Sequence, residues 1–219
     1  QMEWVLRQID AYRLNGLDIA LDCYPYSAFS TEIGATTYDD GWLERYDCDY
    51  NVLEFCEGKF KGQRADPESF AEMRRDFPDC LTVCHVMKPE DVARAFRHPK
   101  TMLASDGILD KGQGHPRAAG TFPRFWAEYV RKGIVDEYTA IEKMTALPAQ
   151  RLKLVSKGRL NVGADADIVI FDPKRIADRA TFEQPVLAPV GINWVLIGGE
   201  IAVKDCEIVR NDLGRAVRG

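Results

Sequence analysis

The sequence predicts an α/β fold, on three observations. A helical run, a glycine stop and a strand follow one another at the start of the chain, residues 81–105 read as strand, helix, strand with short links, and the texture turns strand-rich after Gly158. A strand–helix–strand unit with short connections implies parallel neighbours. Parallel α/β sheets bind ligands at the carboxyl ends of their strands, so those ends are where functional residues are sought.

Taken in order, residues 3–14 place Trp4, Val5, Ile9, Tyr12 and Leu14 near helical spacing, and Asn15-Gly16 supplies a stop. Residues 17–24 read as a strand closed by Pro25. From Tyr26 to about Phe77 the chain is polar, aromatic and irregular, with helical patches at 42–45 and 67–75; so long an excursion reads as a lid or an inserted subdomain. Residues 81–86 are strand-like, Pro89 sits in the first turn of a helix running to Phe96, and residues 101–105 form another strand with Asp106 at its carboxyl end. After a loop over 108–121, the amphipathic stretches 122–132, 136–145 and 148–154 read as outer helices. Residues 163–173 and 192–203, the latter with Gly198-Gly199 inside it, read as strands with turn chemistry. A domain boundary is expected near Ser156, dividing residues 1–155, with a lid-like insert around 27–77, from a β-rich 156–219.

Composition narrows the function. A net charge of -5 over 219 residues, with acids and bases mixed throughout, offers no basic field to nucleic acid or an anionic membrane. No stretch approaches the roughly 18 apolar residues of a membrane span, and the acidic, Arg-bearing start does not resemble a signal peptide. The chain reads as soluble and cytoplasmic, and as a segment of a longer polypeptide. Six cysteines, at 23, 48, 56, 80, 84 and 206, include no Cys-x-x-Cys and read as reduced, packed thiols; Cys84-His85 reads as packing rather than half a metal site. His85, His98 and His115 form no His-x-His. Gly112-x-Gly114 lacks the strand and helix that a dinucleotide site needs.

Asp106-Gly107 alone is an ordinary turn pair, but it is trailed by His115-Pro-Arg117 and Gly120-Thr-Phe-Pro-Arg124. With Asp22-Cys-Tyr24-Pro25-Tyr26-Ser-Ala-Phe-Ser30-Thr31, Lys143-Met-Thr-Ala-Leu-Pro-Ala149 and Gly163-Ala-Asp-Ala-Asp-Ile-Val-Ile-Phe-Asp172, these segments in this order resemble the N-acyl-D-amino-acid deacylases (D-aminoacylases) of the metal-dependent amidohydrolase superfamily. The last segment alone is shared by many cyclic amidohydrolases.

The resemblance implies the C-terminal part of a (β/α)8 TIM barrel, about its last three strands, followed by the C-terminal strands of a small β-sandwich. It implies hydrolysis of the amide bond of N-acyl-D-amino acids by zinc-activated water, with Asp106 as general acid/base and Tyr24, Ser30 and Arg117 as substrate-binding residues for the α-carboxylate. A guanidinium fork suits a carboxylate. The family's metal ligands lie upstream of this segment, and no residue here stands at their positions. The resemblance therefore implies an incomplete, inactive piece that a complementing N-terminal segment or a homo-oligomer completes. Lys111, Arg124 and the insert around 42–50 are candidates for side-chain preference. Two alternatives stay open: a hydantoinase- or dihydropyrimidinase-like cyclic amidohydrolase, and a non-catalytic assembly module.

Overall fold

The structure, a computed structural model, describes residues 2–110 and 112–217, so Lys111 lies outside the described residues. The apolar spacing at the start yields α1 (Met2–Leu14), which buries no residue fully. It is held by Asp10, whose carboxylate accepts from His98 Nε2 at 3.0 Å. β1 (Leu21–Cys23) follows.

The excursion folds around a core of its own. It comprises β2 (Phe29–Glu32), α2 (Trp42–Tyr46), β3 (Leu53–Phe55), α3 (Pro67–Asp76) and β4 (Leu81–Cys84). α3 starts where its sequence dictates: Asp66 accepts from the Ser69 N–H at 2.8 Å, Ser69 Oγ accepts from the Asp66 N–H at 3.0 Å, and Pro67 stands first in the helix. Ile33, Tyr38, Trp42, Leu53, Phe55, Phe70 and Met73 are all buried together. Tyr38 meets Trp42 edge-on at 5.2 Å and Trp42 stacks on Phe70 at 5.5 Å; such ring pairs add about 0.5–1.5 kcal/mol each beyond the area they bury.

The strand at 81–86 differs from expectation in its partners. β4 does not run parallel beside a strand at 101–105; it lies between β2 and β3, antiparallel to both, with Ser30 and Glu54 opposite Val83 on either side. All four of its residues are buried and both its edges are taken. A uniformly apolar run announces burial, not its neighbours. After α4 (Pro89–Arg97), β5 (Thr101–Leu103) instead pairs parallel with β1, Cys23 opposite Leu103.

A small hairpin of β6 (Leu109–Asp110) and β7 (Gln113–Gly114) leads into α5 (Arg117–Phe125), which passes into a π-type turn over Trp126–Val130, where the Arg131 N–H reaches back to the Trp126 carbonyl at 2.9 Å. α5 begins five residues before the periodicity at Phe122 suggests, because Gly120 and Pro123 hide its first turns from a propensity reading. α6 (Glu137–Met144) is capped by Asp136, which accepts from the Thr139 N–H at 3.0 Å, and α7 (Ala146–Arg151) follows. Lys143, wholly buried in α6, donates from Nζ to the His98 carbonyl at 2.6 Å and the Thr101 carbonyl at 2.9 Å. It thereby clamps the link between α4 and β5.

A second core joins Val92, Phe96, Leu103, Phe125, Trp126, Tyr129 and Val130 with Ile176 from the tail. Burying a side chain such as Phe96 or Phe125 contributes about 1.5–3 kcal/mol. The tail forms an antiparallel sheet of β8 (Ile168–Phe171), β9 (Ile192–Ile197), β10 (Glu200–Lys204) and β11 (Glu207–Ile208), in the order β11-β10-β9-β8. It is joined to α5 by Trp126, which meets Phe171 edge-on at 4.8 Å and donates to the Pro173 carbonyl at 3.1 Å. Among the described residues no helix is long and apolar enough to cross a membrane. The six cysteines are free, as expected.

Candidate active site

Parallel pairing of β1 with β5 decides the geometry. With Cys23 opposite Leu103 and the Ala104 N–H bonded to the Cys23 carbonyl at 3.0 Å, the residues that follow the two strands, Tyr24 and Asp106, leave the sheet at the same end. Asp106 has φ 47°, a left-handed conformation that Asp tolerates better than most residues, and Gly107 lets the Ala118 backbone approach so closely that a Cβ there would lie 2.6 Å from its Cα. The chain thus turns back over the start of α5.

That turn brings Asp106 onto Arg117. The guanidinium, 3% exposed, donates from Nη2 to Asp106 Oδ2 at 2.8 Å and to the Ser30 backbone carbonyl at 3.3 Å, and its carbon lies 4.5 Å from the Tyr24 ring centroid. All four residues expected from the sequence meet here, although Arg117 stands in the first turn of a helix rather than in a loop. Among the described residues the buried Arg117 Nε and Nη1 have no hydrogen-bond partner. An unmet buried donor costs about 1–3 kcal/mol, which an acceptor reaching these two N–H groups would offset. The Tyr24 hydroxyl donates to Met87 Sδ at 3.5 Å and is pushed up to about 12 by burial, against the pull of Arg117, so it remains a neutral donor.

The surrounding layer was not legible as a site. Arg124, a candidate for side-chain preference, is committed to the scaffold: Nε donates to the Pro25 carbonyl at 2.8 Å, Nη1 reaches Asp178 Oδ2 at 3.3 Å, and the guanidinium stacks over Tyr26 at 4.6 Å. Asp178 comes from the tail and nothing in its sequence context marks it. Phe182, also from the tail, sets its ring against both His115 at 5.0 Å and His85 at 4.8 Å. His85 lies beside Glu54, 3.3 Å away, and burial, with Arg64 nearby, pushes it down to about 4. Ser30, Val83 and Glu54 share one face of the three-stranded sheet, opposite the face that fills the aromatic core.

The described residues do not by themselves fit a zinc ion: no three His, Cys, Asp or Glu side chains among them converge as ligands. His98 sits at the far, amino end of β5, bonded to Asp10, and His115 has both ring nitrogens engaged.

Asp106 and the buried Arg117 guanidinium thus face each other beyond the carboxyl ends of the parallel pair β1 and β5, and the chain belongs to the amidohydrolase family, whose model matches residues 64–203. Within that family it is similar to N-acyl-D-glutamate deacylase of Alcaligenes xylosoxydans xylosoxydans, 36% identical over 202 residues that cover 89% of this chain and 40% of the relative. Among solved structures it is similar to the N-acyl-D-glutamate deacylase of Bordetella bronchiseptica, crystallised with zinc and a phosphonate inhibitor mimicking the tetrahedral intermediate (33% identity, TM-score 0.80, 91% of this chain and 43% of that one). It is also similar to a D-aminoacylase described as defining a novel subset of amidohydrolases (28% identity, TM-score 0.85, 100% of this chain and 46% of that one). The chain thus spans less than half the length of these relatives.

Proposed function

We propose that this chain forms part of an N-acyl-D-amino-acid deacylase, in which Asp106 moves the proton and Arg117, Tyr24 and Ser30 hold the substrate's α-carboxylate. The observation that carries this reading is the buried Arg117 guanidinium, whose Nε and Nη1 have no acceptor among the described residues, held against Asp106 beyond the ends of β1 and β5. Amide hydrolysis needs a water deprotonated and a departing amine protonated. One carboxylate can do both in turn, provided the scissile bond is fixed beside it. A carboxylate on Arg117 supplies that fixing, and the Asp106–Arg117 ion pair loosens as the substrate's own negative charge arrives. With the carboxylate and the acyl group held, the two enantiomers differ only in exchanging side chain and hydrogen, so a third contact that admits the side chain on one side alone selects one of them.

Zinc, present in the related Bordetella structure, would supply polarisation of the carbonyl and a more acidic water. In this reading its ligands come from the length of the relatives that this chain does not span, and this chain alone is inactive. β1 and β5 would then belong to a partial (β/α)8 barrel and the tail sheet to a flanking sandwich, with a boundary near Ser156 and an insert opening near residue 27. The separate aromatic core over 33–84 supports the insert and carries it beyond Phe77 to β4. A complementing segment or a second copy would cover the outer edges of β1 and β5, which pair with no other strand among the described residues. Free thiols fit a cytoplasmic location.

The test is zinc-supplemented hydrolysis of N-acetyl-D-amino acids by a polypeptide of the relatives' full length that carries these residues. Turnover confined to D-enantiomers and lost in Asp106→Asn is expected; an Asp106→Asn enzyme as active as the parent sinks the role of Asp106, and preference for a hydantoin over every N-acyl-D-amino acid sinks the substrate class.

A further inference from the structure

His115 has no part in the proton transfer above, yet it is wholly buried beside it. Its Nε2 lies 3.0 Å from the Ala28 carbonyl, and its Nδ1 lies 3.0 Å from the Arg117 backbone N–H. A carbonyl can only accept and a backbone N–H can only donate, so the two partners dictate the ring: Nε2 carries the proton and Nδ1 is bare. Tyr26 meets the ring edge-on at 4.9 Å and Phe182 at 5.0 Å, so it is packed by two aromatic neighbours. The backbone before it is equally constrained, since Gly114 has φ 136° and a Cβ there would lie 2.8 Å from the Ile108 carbonyl oxygen. Its two partners belong to the two walls of the carboxylate subsite: Ala28 stands between Tyr24 and Ser30, and Arg117 opens α5.

We propose that His115, fixed as the neutral Nε2–H tautomer, is the positioning residue that brackets the two walls and sets Arg117 at the depth where it receives an α-carboxylate. The inference rests on the reading of Arg117 given above. Protonation would turn Nδ1 from acceptor to donor against an N–H and place a cation beside Arg117. Burial first, then Arg117, with Arg124 and His85 adding to it against the opposing pull of the Ala28 bond, hold the ring down to about 3, so it stays neutral throughout the physiological range.

The experiment compares binding of N-acetyl-D-glutamate with that of its α-amide by calorimetry, in the parent protein, His115→Asn, His115→Gln and His115→Phe. Asn retains an acceptor for the Arg117 N–H, Gln retains a donor toward Ala28, and Phe retains neither. The expected result is about tenfold weaker binding of the α-carboxylate compound in the Phe variant, partial recovery in Asn and Gln, and α-amide binding unchanged in all. Equal loss of both compounds marks a merely structural role and overturns the proposal, as does undiminished α-carboxylate binding in the Phe variant. Where a variant fails to fold, nitrogen NMR of the parent ring decides: a bare Nδ1 and protonated Nε2 that do not titrate between pH 5 and 8 support the bracket, and the opposite tautomer or a titrating ring removes it. A parent protein that binds the α-amide as well as the acid refutes the carboxylate role of Arg117 instead, leaving the ring spectrum to judge the bracket.

Discussion

Replacing Lys143 by Met separates two effects that the buried amine combines. In the folded chain burial pushes this lysine from 10.5 down to about 8, a displacement worth about 3 kcal/mol against its charged form. Met removes that penalty but leaves the His98 and Thr101 carbonyls without their donor, at about 1–3 kcal/mol each. Near pH 7 a gain of about 3 kcal/mol stands against a summed loss of about 2–6 kcal/mol, so the net change lies between a gain of about 1 and a loss of about 3 kcal/mol. The pH dependence is sharper. Between about pH 8 and 10.5 the unfolded chain binds a proton that folded Lys143 has given up, so this group's contribution to stability rises with pH across the window. Buried thiols such as Cys23, Cys56 and Cys84, each pushed up to about 12, act in the opposite direction in the parent, but they are common to both proteins and cancel in the difference. Urea unfolding followed by tryptophan fluorescence at pH 7, 9 and 10 is the assay. The deficit of Lys143→Met should widen by about 2–3 kcal/mol from pH 7 to pH 10. A deficit that stays constant or narrows refutes the claim that the amine is destabilised as a cation and needed as a donor.

Acid should weaken the fold in its own window. Between about pH 6.5 and 4 the unfolded chain takes up protons that folded His115 and His85 refuse, so unfolding free energy should fall by about 4 kcal/mol from pH 6.5 to 4.5, and a flat profile refutes their buried neutral state. Gly120→Ala should destabilise by about 1–3 kcal/mol, because a Cβ there would stand 2.4 Å from the Tyr26 hydroxyl and 3.0 Å from Asp178 Cβ; an unshifted melting temperature would show that this junction yields. Trp126→Phe removes the bond to the Pro173 carbonyl and should cost about 1–2 kcal/mol, with faster proteolysis between α7 and β8; unchanged cleavage there would mean the tail sheet is held by other contacts.

Elements that state their own boundaries were legible in the sequence. α3 and α6 carry caps that name their first residue, and the Gly198-Gly199 turn between β9 and β10 announces a hairpin. What escaped was everything decided by a distant partner. Nothing local in Leu81–Cys84 says that it joins β2 and β3, and β2 itself, carrying Ser30, was hidden in a polar aromatic stretch. The candidate site was legible through the motifs around Tyr24, Ser30, Asp106 and Arg117, which the register of β1 on β5 unites. His115 stands within one of those motifs, and a histidine before proline gives no local hint that both its ring nitrogens are engaged. Asp178 and Phe182 reach the site only through tertiary contact and left no local trace.

The left-handed backbone at Asp106 also governs which substitutions there can be interpreted. Asparagine matches aspartate in shape and shares its tolerance of positive φ, so Asp106→Asn removes the carboxylate, and with it the charge facing Arg117, while keeping the backbone turn. Alanine adds roughly 1 kcal/mol or more of backbone strain to the loss of the carboxylate, and glycine relaxes the turn that holds the Ala118 contact. A fall in rate with either of those two would mix displaced geometry with missing chemistry. The conformation of a single residue thus selects the isostere as the substitution whose kinetics speak for the carboxylate alone.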